Sequence, residues 1–371
     1  MARNPSGSVV GIREVARIAD VSPSTVSRVL NGKVDKVRIS DATVERVRQA
    51  AITLRYQPNA AARSLRTSHT QTIGVIARNL LQPFAAELLR VIYTACRARG
   101  YYLLLGHAEH NSAEGEVLGS ILSVDRVDGV LLMGDILPES RRREDMEWLI
   151  ETHSHVVTVG ARPSVAGELS ILVDDARGVA LALEHLVALG HRSIGYISQL
   201  LGPESWEDQQ RRLAYRHFLR THDLPHVPAA EVASPHHLDG IQEALRSLLA
   251  LPDPPTALFV TNDVTALMTV KAASTCSIRV PDDLSIVGFD DIPFSALSTP
   301  GLTTVHQPIE AMGQHAASAL LDRIAARDAA ERPGAGVAEG NTLFFPPTLV
   351  CRESASAPAH GPPARETTRV G

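Results

Sequence analysis

From Thr72 onward the chain alternates short, β-branched apolar runs with longer stretches of helical period, and that alternation restricts its body to one kind of architecture. The runs are Thr72–Ile76, Tyr102–Leu105, Gly129–Leu132, Val156–Val159, Ile171–Val173, Ser193–Ile197, Ala257–Val260 and Leu284–Val287. Among the stretches between them are Phe84–Arg99, Arg177–Leu189 and Ala266–Thr275, whose apolar residues recur at helical spacing. Strand and helix in alternation predict parallel sheets with helices on both faces. Gly100, Gly190 and the Pro281-Asp282-Asp283 turn mark helix-to-strand junctions. The body is long enough for two domains, and although no internal repeat is visible, the strand count suits two similar halves.

The first 70 residues read differently. Val15, Ala16 and Ala19 give a short first helix one small apolar face, Asp20 falls in a turn, and Val21 follows as a core plug. Ser22 suits the cap of a second helix and Pro23 its first position, with Val26, Val29 and Leu30 as the buried stripe. Pro23, Ser24, Ser27 and Arg28 are left facing outward. Two helices joined in this way form a helix-turn-helix, which presents the early residues of its second helix to base edges in the major groove. Arg28 is then the candidate for a bidentate contact to guanine and Ser24 for a smaller one, while Ser22, Thr25, Ser27 and Asn31 suit phosphate oxygens. A helical hairpin in a globular core with a surface arginine would read the same way locally.

Charge favours the nucleic-acid reading. Residues 1–70 hold 12 Lys and Arg against 5 Asp and Glu, while the remainder holds 24 against 36. The overall net charge of −5 therefore conceals a basic head, the arrangement that gains affinity by releasing counterions from phosphate.

A third helix is expected from about Ser40 to Leu54, capped by Ser40 or Asp41, with Val44, Val47, Ala51 and Leu54 on one side. Tyr56-Gln57-Pro58-Asn59 ends it. Asn59 then caps Ala60 to Thr67, a run too short for a stable helix alone. If that run folds when two copies meet on DNA, Leu65 is placed to wedge into a minor-groove step, with Arg63 and Arg66 near phosphates. Asn59, Ala62, Arg63 and Leu65 are thus assigned to the DNA contact; a plain linker is the alternative.

The runs Thr25 to Gly32 (Thr-Val-Ser-Arg-Val-Leu-Asn-Gly) and Pro58 to Thr67 (Pro-Asn-Ala-Ala-Ala-Arg-Ser-Leu-Arg-Thr) resemble the headpiece and hinge of the lactose-repressor family of bacterial transcriptional regulators. The resemblance extends in order through Ile73-Gly74-Val75-Ile76, Val127-Asp128-Gly129-Val130, Leu189-Gly190-His191-Arg192, Thr261-Asn262-Asp263, Gly288-Phe289-Asp290-Asp291 and Leu302-Thr303-Thr304-Val305. It implies a homodimer on a pseudo-palindromic operator, with Arg28 in the major groove and Leu65 as the hinge wedge. It also implies a core similar to periplasmic sugar-binding proteins: two α/β subdomains joined by three crossings around an effector cleft. Two departures stand out in the headpiece: Asp20 where the family usually has Gly, and a loop between Gly32 and Asp41 about three residues longer than usual.

In the core, Arg211 matches the family's effector-binding arginine, and Asn262 and Asp290 its effector-binding amide and carboxylate. Each directly follows an apolar strand or sits in a helical segment, so each also suits a cap, a turn or the surface. The first cleft loop, Ala77 to Ala85, lacks the family's usual acid and one aromatic, leaving Phe84 as its stacking residue and placing Arg78 near the cleft. Arg78 suggests an effector with an anionic group; a solvent-facing or acid-paired Arg78 is the alternative.

No P-loop, dinucleotide fingerprint or nucleophile elbow is present, and no enzyme activity or cofactor is expected. Cys96, Cys276 and Cys351 lack metal spacing, so no metal is expected, and their number suits a reduced cytoplasm. No apolar signal region or membrane span is read. The expected fold is α/β: an all-α helix-turn-helix headpiece (1–58), a hinge (59–70), and a periplasmic-binding-protein-like core. The core divides into an N-subdomain (71–171 and 307–330) and a C-subdomain (172–306 and 341–351), with one last strand near Leu343–Val350 and a tail without structure from about 352 to 371. The expected protein is a transcriptional regulator, most simply a repressor, with operator DNA, a carbohydrate-like effector and a second copy of itself as partners. Its rivals are a regulator whose degenerate cleft answers to a protein partner, and an enzyme with an appended DNA-binding head.

Overall fold

The computed structural model describes residues 10–30, 39–56, 69–78, 80, 82–108, 126–137, 141–153, 155–163, 165, 168–200, 205–235, 237–329 and 341–359. The chain forms two compact units, Met1–Thr70 and Gln71–Gly371.

In the first unit, α1 (Ile12–Ala19), α2 (Pro23–Leu30) and α3 (Asp41–Thr53) enclose a small core of Val15, Ala16, Ala19, Val26, Val29, Val47, Ala50 and Ala51. The apolar spacing read from the sequence thus becomes the buried side of each helix. Ser22 Oγ accepts from the amide of Thr25 at 3.1 Å and Ser40 Oγ from that of Thr43 at 3.3 Å, so both serine caps close their helices. Asp20 takes the left-handed conformation at φ 50°, and its amide closes the last turn of α1 on Ala16 and Arg17. Arg46 reaches from α3 to donate to the Ala19 carbonyl at 3.3 Å, which ties α3 to the end of α1.

The second unit contains two six-stranded sheets. The first has the order β11-β5-β4-β3-β1-β2 and is parallel throughout, with β1 (Thr72–Arg78), β2 (Tyr102–Ala108), β3 (Gly129–Met133), β4 (Val156–Val159), β5 (Leu169–Val173) and β11 (Asn341–Phe345). Its helices are α4 (Pro83–Ala98), α5 (Arg142–His153) and α11 (Ile309–Ala329). The second has the order β12-β10-β9-β8-β6-β7. Its strands are β6 (Ile194–Leu200), β7 (Glu231–Pro235), β8 (Ala257–Val260), β9 (Ser285–Asp290), β10 (Thr303–His306) and β12 (Thr348–Val350), of which only β12 runs antiparallel to its neighbour. Around it lie α6 (Asp175–Ala188), α7 (Trp206–Thr221), α8 (Leu238–Leu249), α9 (Asp263–Thr275) and α10 (Pro293–Leu297). Strands β3, β4, β5, β8 and β9 are buried along their whole length, as parallel strands covered on both faces must be.

The chain passes between the sheets three times: at Val173–Asp174, between His306 and Ile309, and between Phe345 and Thr348. The last passage corrects two expectations. The single strand near Leu343–Val350 is two strands in different sheets, because Pro346-Pro347 carries no amide donor and interrupts the ladder. Residues 341–345 therefore belong to the first sheet, beside β5, and not with the second lobe; β5 likewise carries Leu172 and Val173 within the first sheet.

The tail expectation also changes. Residues 352–356 run against the second sheet: Ser354 Oγ donates to the Ile286 carbonyl at 2.6 Å and accepts from the Thr303 amide at 2.8 Å, and the Ser356 amide donates to Ser285 Oγ at 3.0 Å. Buried His191 bonds Thr256 Oγ1 and the Ser356 carbonyl, both at 2.8 Å. Small serines supply side-chain hydrogen bonds where hydropathy alone suggests a loose end.

Candidate nucleic-acid interface and ligand cleft

In the first unit, Ser22, Pro23, Ser24 and Arg28 are exposed, and Thr25 and Ser27 are half-buried, on one side of α2. Ser22 Oγ is engaged by Ser24 Oγ at 2.7 Å and Thr25 Oγ1 at 2.9 Å, besides its cap. Val26 and Val29 point the other way into the core, so the outward face is polar and ends in a guanidinium. Asn31, Asn59, Ala62, Arg63 and Leu65 lie outside the described residues.

In the second unit, the cleft candidates come together at the carboxyl ends of β6, β8 and β9, where open α/β sheets bind ligands. Arg211, from α7, is buried. Its Nε donates to Asp175 Oδ1 at 2.7 Å and its Nη1 to the Thr261 carbonyl at 2.7 Å, with Asp290 Oδ1 at 3.8 Å. The guanidinium lies over the Phe289 ring, 3.7 Å from its centroid. Beneath the site, Tyr196 stacks on Tyr215 and Phe259 at 5.3 and 5.6 Å between centroids. This apolar floor screens charge weakly, which strengthens the charge interactions above it.

Asp290 ends β9 at φ 123°, a conformation L-residues rarely adopt. Its Oδ1 accepts from Gln307 Nε2 at 2.7 Å. Burial pushes its carboxyl up to about 8 even though Arg211 pulls the other way, and Asp263 nearby adds to the rise. Asp263 is itself buried and raised to about 6 by burial, with Ser295 Oγ donating to it at 2.6 Å and the Ile292 amide at 3.0 Å. Burial lowers Arg211, but Asp175 and Asp290 outweigh it and hold the guanidinium charged above its usual range.

Asn262 has a structural role. Its Oδ1 caps α9 by accepting from the Thr265 amide at 2.9 Å, and its Nδ2 donates to Gln199 Oε1 at 2.8 Å. It stands at the cleft end of β8, with one N–H and one lone pair of its amide engaged by the protein. Phe84 sits half-buried in the first turn of α4, packed against the main core. Arg78 closes β1, and its side chain lies outside the described residues.

Sequence reading missed four cleft groups. Asp175 is the main partner of Arg211, Asp208 accepts a short hydrogen bond from Thr261 Oγ1, and Gln307 holds Asp290. Glu207 is pushed up to about 7 by burial, with Asp135 adding to the rise, and its carboxylate approaches Gly160 of the opposite lobe. The signal was present: Glu207 and Asp208 precede Arg211 by four and three residues, the spacing that stacks side chains on one helix face.

Among the described residues no helix is long and apolar enough to cross a membrane, and no group of three His, Cys, Asp or Glu is placed to hold a metal ion. Residues 11–59 match the model for bacterial regulatory proteins of the lacI family, and residues 183–355 that for the periplasmic binding protein-like domain. The HTH-type transcriptional repressor PurR of Erwinia tasmaniensis is 33% identical over 350 residues, covering 92% of this chain and 96% of that protein. PurR of Escherichia coli O139:H28 is 33% identical, covering 84% and 90%. Among solved structures, the Lac repressor dimer bound to operator and the anti-inducer ONPF superimposes with a TM-score of 0.78 at 25% identity, covering 94% of this chain and all of that one. The transcriptional regulator CelR in complex with cellobiose gives 0.64 at 27% identity over 93% of this chain. A polar helix face on a three-helix head, an arginine-centred cleft in a two-lobed core, and near full-length similarity to repressors agree: this chain belongs to the lacI family of bacterial regulatory proteins and is a DNA-binding transcriptional repressor, not an enzyme.

Proposed function

We propose that the protein binds a palindromic operator as a homodimer in the cytoplasm, with α2 in the major groove, and that a neutral polyhydroxylated effector in the cleft sets its operator affinity. Arg28 reads a guanine, Ser24 makes a smaller base contact, and Ser22, Thr25, Ser27 and Asn31 meet phosphates. Asn59, Ala62, Arg63 and Leu65 carry the hinge contact. In the cleft, Arg211, Asp290 and Asn262 present donors and acceptors to hydroxyls, with Phe84 for an apolar sugar face and Arg78 at the rim.

The observation that carries the effector reading is the buried Arg211–Asp175–Asp290 cluster at the carboxyl ends of the second sheet. Arg211 is already held by Asp175 at 2.7 Å and faces Asp290 at 3.8 Å, so its charge is largely taken up within the protein, which disfavours the anionic effector that Arg78 suggests. The cellobiose bound by CelR is a neutral carbohydrate of the kind such a site suits.

Two measurements test this. Selection from randomised palindromic duplexes, followed by binding across a salt series, is expected to give one preferred operator with affinity falling steeply as salt rises. Calorimetric titration of neutral sugars against sugar phosphates and sugar acids is expected to favour the neutral ligands. A protein without salt-sensitive operator preference overturns the first part; preference for the anionic ligands overturns the second.

A further inference from the structure

The geometry points to a second ligand site, on the side of the core where the chain crosses between lobes, suited to a small amine with an apolar or aromatic body. A cavity of about 670 Å³ opens there, within the range of small-molecule sites. One wall is the edge of the first sheet, with Leu172 of β5 and Thr342 and Phe344 of β11. The facing wall is α7, with Trp206, Leu213 and Phe218, and the N-terminal half of α6 lies between them. The walls therefore belong to both lobes, and two of the three crossings, Val173–Asp174 and Phe345–Thr348, run beside them; the Asp174 amide bonds the Phe345 carbonyl at 3.1 Å.

The chemistry of the walls selects the occupant. Leu213 is 57% exposed and Phe344 62%, apolar surface that an aromatic or aliphatic body would cover. Phe218 is stacked on His222 at 3.8 Å between ring centroids, so one aromatic face is already fixed. The lining carries three carboxyl side chains, Asp174, Asp175 and Glu184, and two imidazoles, His217 and His222, with no Lys or Arg. Arg177, beyond the lining, bonds Glu184 at 3.1 Å and Arg211 holds Asp175 at 2.7 Å, so the negative excess of the cavity rests on Asp174, which caps α6 and pairs with no cation among the described residues. An ammonium group matches that excess and a carboxylate opposes it. The site is separate from the cleft, because Arg211, Asn262 and Asp290 do not line it. Asp175 alone belongs to both, as the residue that holds Arg211.

Tryptamine and indole-3-acetate share a ring and differ in the sign of their charge. Calorimetric titration of the intact protein reads both without an optical label. Tryptamine is expected to bind saturably, at least tenfold more tightly than indole-3-acetate. Leu213→Arg, a change at an exposed position, is expected to weaken tryptamine at least tenfold while an unchanged melting temperature shows that the core is folded. Asp290→Asn, in the cleft, is expected to leave tryptamine binding unchanged. Equal binding of the two indoles, full binding by Leu213→Arg, or loss of binding in Asp290→Asn would each overturn the assignment.

Discussion

Arg211 donates from Nε to Asp175 Oδ1 at 2.7 Å, with both side chains about 8% exposed, so the bond joins α7 to the first turn of α6 inside the core. A buried pair gives little net stability while whole, but removing one partner strands the other charge. Arg211→Ala is therefore expected to destabilise the core by about 3–5 kcal/mol and to abolish the ligand response, because Asp175 and Asp290 lose their cation together. Asp175→Asn keeps the shape and is expected to cost less. Denaturant unfolding of the two variants measures both; a cost below about 1 kcal/mol for Arg211→Ala would place the pair in solvent rather than in the core.

Asp290 gives the core a pH dependence of known sign. Its carboxyl is pushed up to about 8 in the folded chain, mainly by burial, against an ordinary value near 3.8. The folded state therefore binds more protons than the unfolded state between those values. This contribution to stability is fully present at low pH and is lost as pH rises through about 8. Melting temperatures of the ligand-free protein from pH 6 to 9 are expected to fall more steeply than those of Asp290→Asn, which has no proton to lose at that position.

Gly178 faces the same site from α6. A Cβ there would meet Phe289 Cε2 at 2.6 Å and Val305 Cγ1 at 3.2 Å. Alanine is the better helix former by up to about 1 kcal/mol, yet overpacking a core costs about 1–3 kcal/mol. Gly178→Ala is expected to be destabilising overall and to weaken effector binding by moving the ring beneath Arg211. A raised melting temperature with unchanged affinity would show that Phe289 gives way freely.

Asp20 is the helix-turn-helix residue with the clearest backbone strain. At φ 50° and ψ 54° it occupies the left-handed region, which costs a non-glycine residue about 1 kcal/mol. Asp20→Gly is expected to stabilise the headpiece by a few tenths to 1 kcal/mol with operator sequence preference unchanged. Thermal unfolding of the first unit measures the gain; a loss would mean that the Asp20 carboxylate contributes a bond worth more than the strain.

For Arg28, exposed at the far end of α2 from its cap, replacement by alanine is expected to cost about 1–3 kcal/mol of discrimination at one base pair of each half-site. Loss of affinity spread evenly over all sequences would instead make Arg28 a phosphate contact.

Much of this was legible in the sequence, for identifiable reasons. Helix stripes such as Val15, Ala16 and Ala19, and caps such as Ser22 and Ser40, depend on neighbours in the chain, and each is found where spacing places it. The parallel strands with continuous apolar runs were likewise visible. What escaped depends on residues far apart. Strands β7 and β10 lie near the edges of their sheet and carry polar residues, so hydropathy does not mark them as strands. Arg211 was found by family resemblance, but its partner Asp175, 36 residues earlier, shows no local sign of that role. Asn262 shows a second use that its position at a strand end does not announce: the fold also makes it the cap of α9.

The three crossings between the lobes carry an evolutionary consequence. Each lobe is assembled from separate stretches of the chain, and both take a strand from residues 341–350. Recombination that exchanges any one contiguous half of the core between two related genes would join sheets whose edges never evolved together. A breakpoint near Thr70–Gln71 leaves both compact units whole. Gene shuffling can therefore refit such a core with new operator-reading heads far more readily than it can trade one lobe for another.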